Sequence, residues 1–128
     1  MAATVLQEIT QLLAKLADTG AAGSIDLRSL PMTDADRDEL EERLGRGEVQ
    51  ADLSVAGNSQ VWETGYSGVW WIRHLGAGDK IAAEEIAVTN VPEILVSHSA
   101  DIATAALRIR RDLAEEPPDR MREDDRNG

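Results

Sequence analysis

The chain has 128 residues, no cysteine and a net charge of −11. That length fits one domain able to bury a modest core without staples, and the missing cysteine excludes disulfides, thiolate catalysis and cysteine-held zinc or iron–sulfur sites within it. The acidic balance argues against nucleic acid and anionic membrane surfaces, which need clustered Lys and Arg; it serves solubility or favours a basic partner.

No apolar run reaches the length of a membrane span. Met1 to Thr10 lacks a basic region followed by an apolar core, so no signal peptide and a cytoplasmic location are expected. Val5, Leu6, Ile9, Leu12, Leu13 and Leu16 recur at helical spacing, and Gly20 suits a left-handed C-terminal cap. Ile25 and Leu27 alternate with Asp26 and Arg28 and predict a short extended piece. Leu30-Pro31-Met32 turns into a second helix with Thr33 as N-cap and Asp34 and Asp36 in its first turn. Leu40 and Leu44 are its expected buried positions, its many charges are read as a solvated face, and Gly45 closes it.

The middle of the chain is β. Val49, Ala51, Leu53 and Val55 alternate with polar residues, as on a half-buried strand. Gly57-Asn58 signals a turn, and the chain is expected to return antiparallel from Gln60 through Glu63. Gly65 and Gly68 predict a bulge or bend in that strand. Val69 to Ile72 is apolar on both faces, the pattern of a covered central strand. Gly76 to Asp79 is a turn, and Glu84 to Thr89 is a last strand. Pro92 opens a helical turn, Ser99 is the expected N-cap of a final helix, and Ile102, Ala105, Ala106, Ile109 and Leu113 form its apolar stripe. Pro117-Pro118 stops that helix. The fold class is therefore α+β: an antiparallel sheet of three to four strands in the middle of the chain, flanked by N-terminal helices and a C-terminal helix. One domain is expected over residues 1–116, with a polar tail over 117–128.

Every aromatic ring falls between Trp62 and Trp71. Such rings dominate cores and interfaces alike. Alternation sends Val69 and Trp71 one way and Trp70 and Ile72 the other. One reading puts these rings in the core, with Val69 and at least one of Trp70 and Trp71 expected inside. The other, since three tryptophans in ten residues are not easily all interior, leaves an exposed ring that would mark a binding surface. Tyr66 and Glu63 are expected nearer the surface, with Glu63 in a salt bridge to Arg73 or another arginine. The two histidines, His74 and His98, have no metal-ligand spacing, and neither glycine pair is followed by the residues a phosphate loop requires. No cofactor, metal or catalytic residue is therefore expected. The competing reading is an enzyme or small-ligand binder in which Glu63, Tyr66 and Arg73 converge on a pocket; a third is a homodimeric structural module.

Four segments carry a family resemblance: Gly23-Ser24-Ile25-Asp26-Leu27-Arg28-Ser29-Leu30-Pro31; Leu44-Gly45-Arg46-Gly47-Glu48-Val49; Glu63-Thr64-Gly65-Tyr66-Ser67-Gly68-Val69-Trp70-Trp71; and Ile86-Ala87-Val88-Thr89-Asn90-Val91-Pro92-Glu93-Ile94-Leu95. In combination and order they resemble the C-terminal domain type of the HupH/HyaF hydrogenase expression/formation family, over roughly residues 5–114. The resemblance implies an accessory chaperone for nickel–iron hydrogenase maturation whose partner is an immature subunit, chiefly the small iron–sulfur one, or another maturation protein. Glu63, Tyr66, Trp70, Trp71 and Arg73 are the expected partner-binding residues.

Overall fold

Helix α1 runs from Ala2 to Thr19, and Gly20 closes it in the left-handed conformation (φ 76°) with its N–H on the Leu16 carbonyl. The structure is a computed structural model, which describes residues 1–54 and 57–117. Val5 and Ile9 are buried, and Leu6, Leu12, Leu13 and Leu16 pack against the same core. Helix α2 spans Asp34–Leu44. Its start is fixed twice: the Thr33 hydroxyl accepts from the Asp36 N–H, and the Asp36 carboxylate accepts from the Thr33 N–H, both at 3.0 Å. This reciprocal capping satisfies two donors that a helix start leaves orphaned.

Five antiparallel strands form one sheet: β1 (Gly23–Asp26), β2 (Gln50–Leu53), β3 (Asn58–Glu63), β4 (Val69–Leu75) and β5 (Ile81–Val88). Their spatial order is β1-β5-β4-β3-β2. The short extended piece expected near Ile25 is β1, which makes the fifth strand, and a 3-10 turn over Leu27–Ser29 ends its run. Gly65 and Gly68 are not a bulge within a strand. They lie in the connection between β3 and β4, which pair from Asn58↔Leu75 to Glu63↔Trp70. Gly68 has φ 85°, a conformation that costs an L side chain about 1–2 kcal/mol. The strand expected from Val49 is shorter than the alternation implies. Val49 is exposed, and Val55 lies outside the described residues.

Register sorts the side chains. Cross-strand partners share a face, so Trp62, Trp71, Ile86 and Ile25 lie on one side, as do Val69 and Val88. This face forms a single core cluster with Ala2, Val5 and Ile9 of α1 and Leu40 and Leu44 of α2. The opposite face carries Val61, Ile72, Trp70 and Ala87, also buried.

Contacts within the chain gather into two compact units, Met1–Ile94 and Leu95 onward. A 3-10 turn over Glu93–Leu95 follows buried Pro92. In the second unit, helix α3 spans Ser99–Ala114, and His98 rather than Ser99 stands at its N-cap. No residue of α3 is buried. The stripe of Ile102, Ala105, Ala106, Ile109 and Leu113 therefore builds no core: among the described residues its unit offers no second layer to pack against. The polar tail, from residue 118, lies outside the described residues. Among the described residues no helix is long and apolar enough to cross a membrane.

The capping box makes a test. Thr33→Ala is expected to cost about 1 kcal/mol of stability in denaturant unfolding, with unchanged slope. The hydrogen bond from the Thr33 backbone, with that from its hydroxyl, holds the Asp36 carboxyl below its usual 3.8. A carboxyl depressed in the folded state stabilises above its unfolded value and loses that effect as pH falls through the folded one. The stability gap between wild type and Asp36→Asn should therefore be full at neutral pH and close below pH 3.8.

Candidate functional site

Two features meet on α2 and the β3–β4 hairpin. The first is an ionic network under α2. Glu84, on β5, is 1% exposed. Its Oε2 accepts from Trp71 Nε1 at 2.8 Å and from Arg73 Nε at 2.7 Å. Arg37 of α2 brings its Nε to 2.8 Å from the other oxygen, Oε1, although its N–H is not directed there and Oε1 has no hydrogen-bond donor among the described residues. Arg73 also donates to Glu41 of α2 at 3.3 Å, and Arg46 lies 3.5 Å from the other Glu41 oxygen. The Trp62 and Trp71 rings stack within this network, centroids 5.7 Å apart and planes 8° from parallel. The Arg46 guanidinium lies 4.0 Å above the Trp62 ring and that of Arg73 at 5.1 Å.

Such contacts explain how a buried acid is tolerated. An isolated carboxylate in an apolar interior would cost several kcal/mol; charge-assisted donors offset that cost. Arg73 thus pairs with Glu84 and Glu41, not with Glu63. The charged surface of α2 is only partly solvated: Arg37 and Glu41 lie at the i and i+4 positions that, with Leu40 and Leu44, make its inward face. Their spacing is the available sequence signal for this network, and Glu84 has none, since its burial depends on facing Arg73 across the sheet.

The second feature is the turn from Thr64 to Gly68. Thr64 is buried, its N–H bonds to the Val69 carbonyl, and its hydroxyl takes the Tyr66 N–H. The Glu63 carboxylate accepts from the Gly68 N–H at 3.4 Å. The segment after α2 clasps this turn by backbone alone: Gly65 N–H to Leu44 O, Gly47 N–H to Glu63 O and Glu63 N–H to Val49 O, at 2.8–3.0 Å. A Cβ at Gly47 would stand 2.7 Å from the Thr64 carbonyl, and one at Gly65 3.0 Å from the Leu44 carbonyl. Only glycine admits the two backbones this close. At the tip of this braced turn Tyr66 is 56% exposed.

The expected site residues are therefore split. Tyr66 is at the surface and Glu63 half-buried beside it, as expected. Trp70 and Trp71 are inside, at 5% and 0% exposure, and Trp62 at 1%. The expectation that one of three tryptophans would be exposed fails because β3 and β4 are flanked by strands on both edges and buried on both faces. The Trp70 indole donates to the Thr89 carbonyl at 3.1 Å. Glu63 and Arg73 occupy opposite faces of the sheet, since Glu63 pairs with Trp70 and Arg73 with Gln60. Glu63, Tyr66 and Arg73 thus do not converge on one pocket. His74 shares a short hydrogen bond, 2.6 Å, with Ser59. Among the described residues no group of His, Asp and Glu is placed to hold a metal ion.

The sequence and the architecture match known proteins. The C-terminal conserved region of HupH hydrogenase expression protein matches residues 1–115. The chain is 30% identical over 106 residues to hydrogenase expression/formation protein HupH of Rhizobium leguminosarum bv. viciae, covering 83% of this chain and 38% of that protein. It is 33% identical over 94 residues to HupH of Rhodobacter capsulatus, covering 73% and 34%. The solved structure of hydrogenase expression protein HupH from Thiobacillus denitrificans ATCC 25259 superposes with a TM-score of 0.86 at 39% identity, over 90% of this chain and 96% of that one. The chain belongs to the HupH hydrogenase expression protein family, where it corresponds to the C-terminal conserved region. It spans about a third of the length of the curated relatives it matches.

Both features are open to mutation. Glu84→Ala leaves two arginines and an indole N–H facing a void and should cost about 3–5 kcal/mol in unfolding experiments. Gly47→Ala must push the Thr64 carbonyl aside; a loss of about 1–3 kcal/mol is expected, with faster amide exchange confined to residues 44–49 and 63–68.

Proposed function

We propose that this chain takes part in nickel–iron hydrogenase maturation by docking an immature subunit, first of all the small, iron–sulfur one, and that the Tyr66 turn makes the contact. The observation that carries this reading is a large amphipathic ring held at the surface by a turn that three backbone hydrogen bonds tie to residues 44–49. Rigid, exposed tyrosines are frequent hot spots, because they offer contact area with little conformational entropy to lose. The relatives' names, hydrogenase expression/formation proteins, supply the context.

In this reading the other expected residues act from behind the surface. Glu63 holds the turn through Gly68, Trp70 and Trp71 make the hairpin stiff, and Arg73 ties it to the network under α2. The surrounding carboxylates form a rim that steers the encounter more than it tightens the complex. The chain acts by binding and not by catalysis, and does so in the cytoplasm.

Purified small-subunit precursor captured on immobilised protein tests this. Tyr66→Ala is expected to weaken capture at least tenfold, about 1.4 kcal/mol or more, while leaving the melting temperature within a degree or two of wild type. Equal capture by a folded Tyr66→Ala protein sinks the assignment.

A further inference from the structure

The segment that braces the turn carries a group of its own. Arg46 stands between Gly45 and Gly47, and its side chain is 47% exposed. Its guanidinium carbon lies over Trp62, 4.0 Å from the ring centroid, and Trp62 is 1% exposed. A guanidinium over a ring face is attracted there by the ring's quadrupole and keeps its N–H groups for polar contacts. Those contacts are long: 3.4 Å to the Gln50 side-chain oxygen and 3.5 Å to a Glu41 oxygen. Good charge-assisted pairs lie nearer 2.7–2.9 Å. Glu41 has a second cation, Arg73, on its other oxygen. Arg46 can therefore turn its donors to another carboxylate without leaving Glu41 unpaired.

The other cations of α2 and the sheet are committed. Arg37 and Arg73 are held at Glu84, and Arg43 pairs with Glu39. The backbone of the Arg46 segment runs against that of the turn bearing the exposed Tyr66.

We infer that Arg46 is a specificity residue of this surface: it receives a carboxylate of the partner, while Tyr66 receives an apolar side chain of the same segment. The partner segment is thus acidic–apolar at the point of contact. This inference rests on the docking role proposed for the Tyr66 turn. The chain's net charge of −11 repels acidic segments in general, so one acid placed opposite Arg46 is distinguished from acids placed elsewhere.

The test uses defined peptides. One alternates leucine and aspartate; its control replaces each aspartate with asparagine. Titrations of the full chain are followed by NMR at the Arg46 Nε–Hε and Tyr66 ring resonances. The aspartate peptide is expected to shift both signals with one saturation curve and to bind at least tenfold more tightly than the control. Arg46→Lys, which keeps the charge and can still cover Trp62, should bring the aspartate peptide down to the control's affinity. Unchanged tryptophan emission reports that the core is intact. Equal affinity for the two peptides, an unaffected Arg46→Lys, or no Arg46 shift at millimolar peptide overturns the inference. The two readings separate cleanly. Peptide discrimination with Tyr66-independent capture of the small subunit removes the docking role and keeps the Arg46 site. The reverse result removes the Arg46 site and keeps the docking role.

Discussion

The rest of the structure depends on one buried carboxylate. Glu84 belongs to β5, yet its two oxygens face an indole and an arginine of β4 and an arginine of α2. A charge with so little solvent sets a geometric requirement: β4, β5 and α2 must stand where their donors reach it, or the desolvation cost goes uncompensated. Apolar burial alone would let α2 slide along the sheet, because hydrophobic contact is not directional. The Arg37–Glu84 ion pair and the hydrogen bond from Arg73 to Glu41 of α2 remove that freedom. The stacked tryptophans fill the space between. Each ring withdraws roughly 150–250 Å² from water, on the order of 4–6 kcal/mol as an upper estimate.

Fixing α2 also fixes the segment that leaves it. The C-terminal carbonyl of that helix, on Leu44, accepts from Gly65, so the Tyr66 turn is anchored to the helix end as well as to its own strands. Arg46, one residue past Gly45, reaches back over Trp62 and joins the same network through Glu41. Core and surface are thus one connected arrangement. The buried acid places the helix, the helix end places the turn, and the turn presents the tyrosine. Trp62 Nε1 is the cost of this packing: it is buried without an acceptor among the described residues, a loss of about 1–3 kcal/mol that cations over its ring help to offset.

Legibility in the sequence tracks the range of the interactions. The ends of α1 and α2 depend on residues within one turn, and Gly20, Thr33, Asp36 and Gly45 announce them. Strand β4 is legible because four apolar residues in a row fit a strand covered on both faces. The hairpin is ambiguous at Gly65 and Gly68, since a glycine that breaks alternation fits a bulge as well as a turn; the Leu44 carbonyl that decides between them is 21 residues away in sequence. Glu84 is illegible for the same reason. Glu84 and Glu85 look alike as neighbours in the chain, and only the register against Arg73 and Ile72 makes one buried and the other half-buried. Tyr66 stands out as a surface residue, whereas composition alone does not separate Trp70 and Trp71 from it.

The sheet's two margins have a consequence for how anything can join it. Both edge strands, β1 and β2, are four residues long, and each carries an exposed aspartate, Asp26 and Asp52. Asp26 turns its carboxylate back to cap the 3-10 turn through the Arg28 N–H, which ends the open edge. Short margins with acids on them are poor templates for a further strand. The sheet is thereby kept from growing sideways, whether by copies of itself or by an extended segment of another protein. Contacts through side chains at the hairpin tip remain open where contacts through backbone are closed.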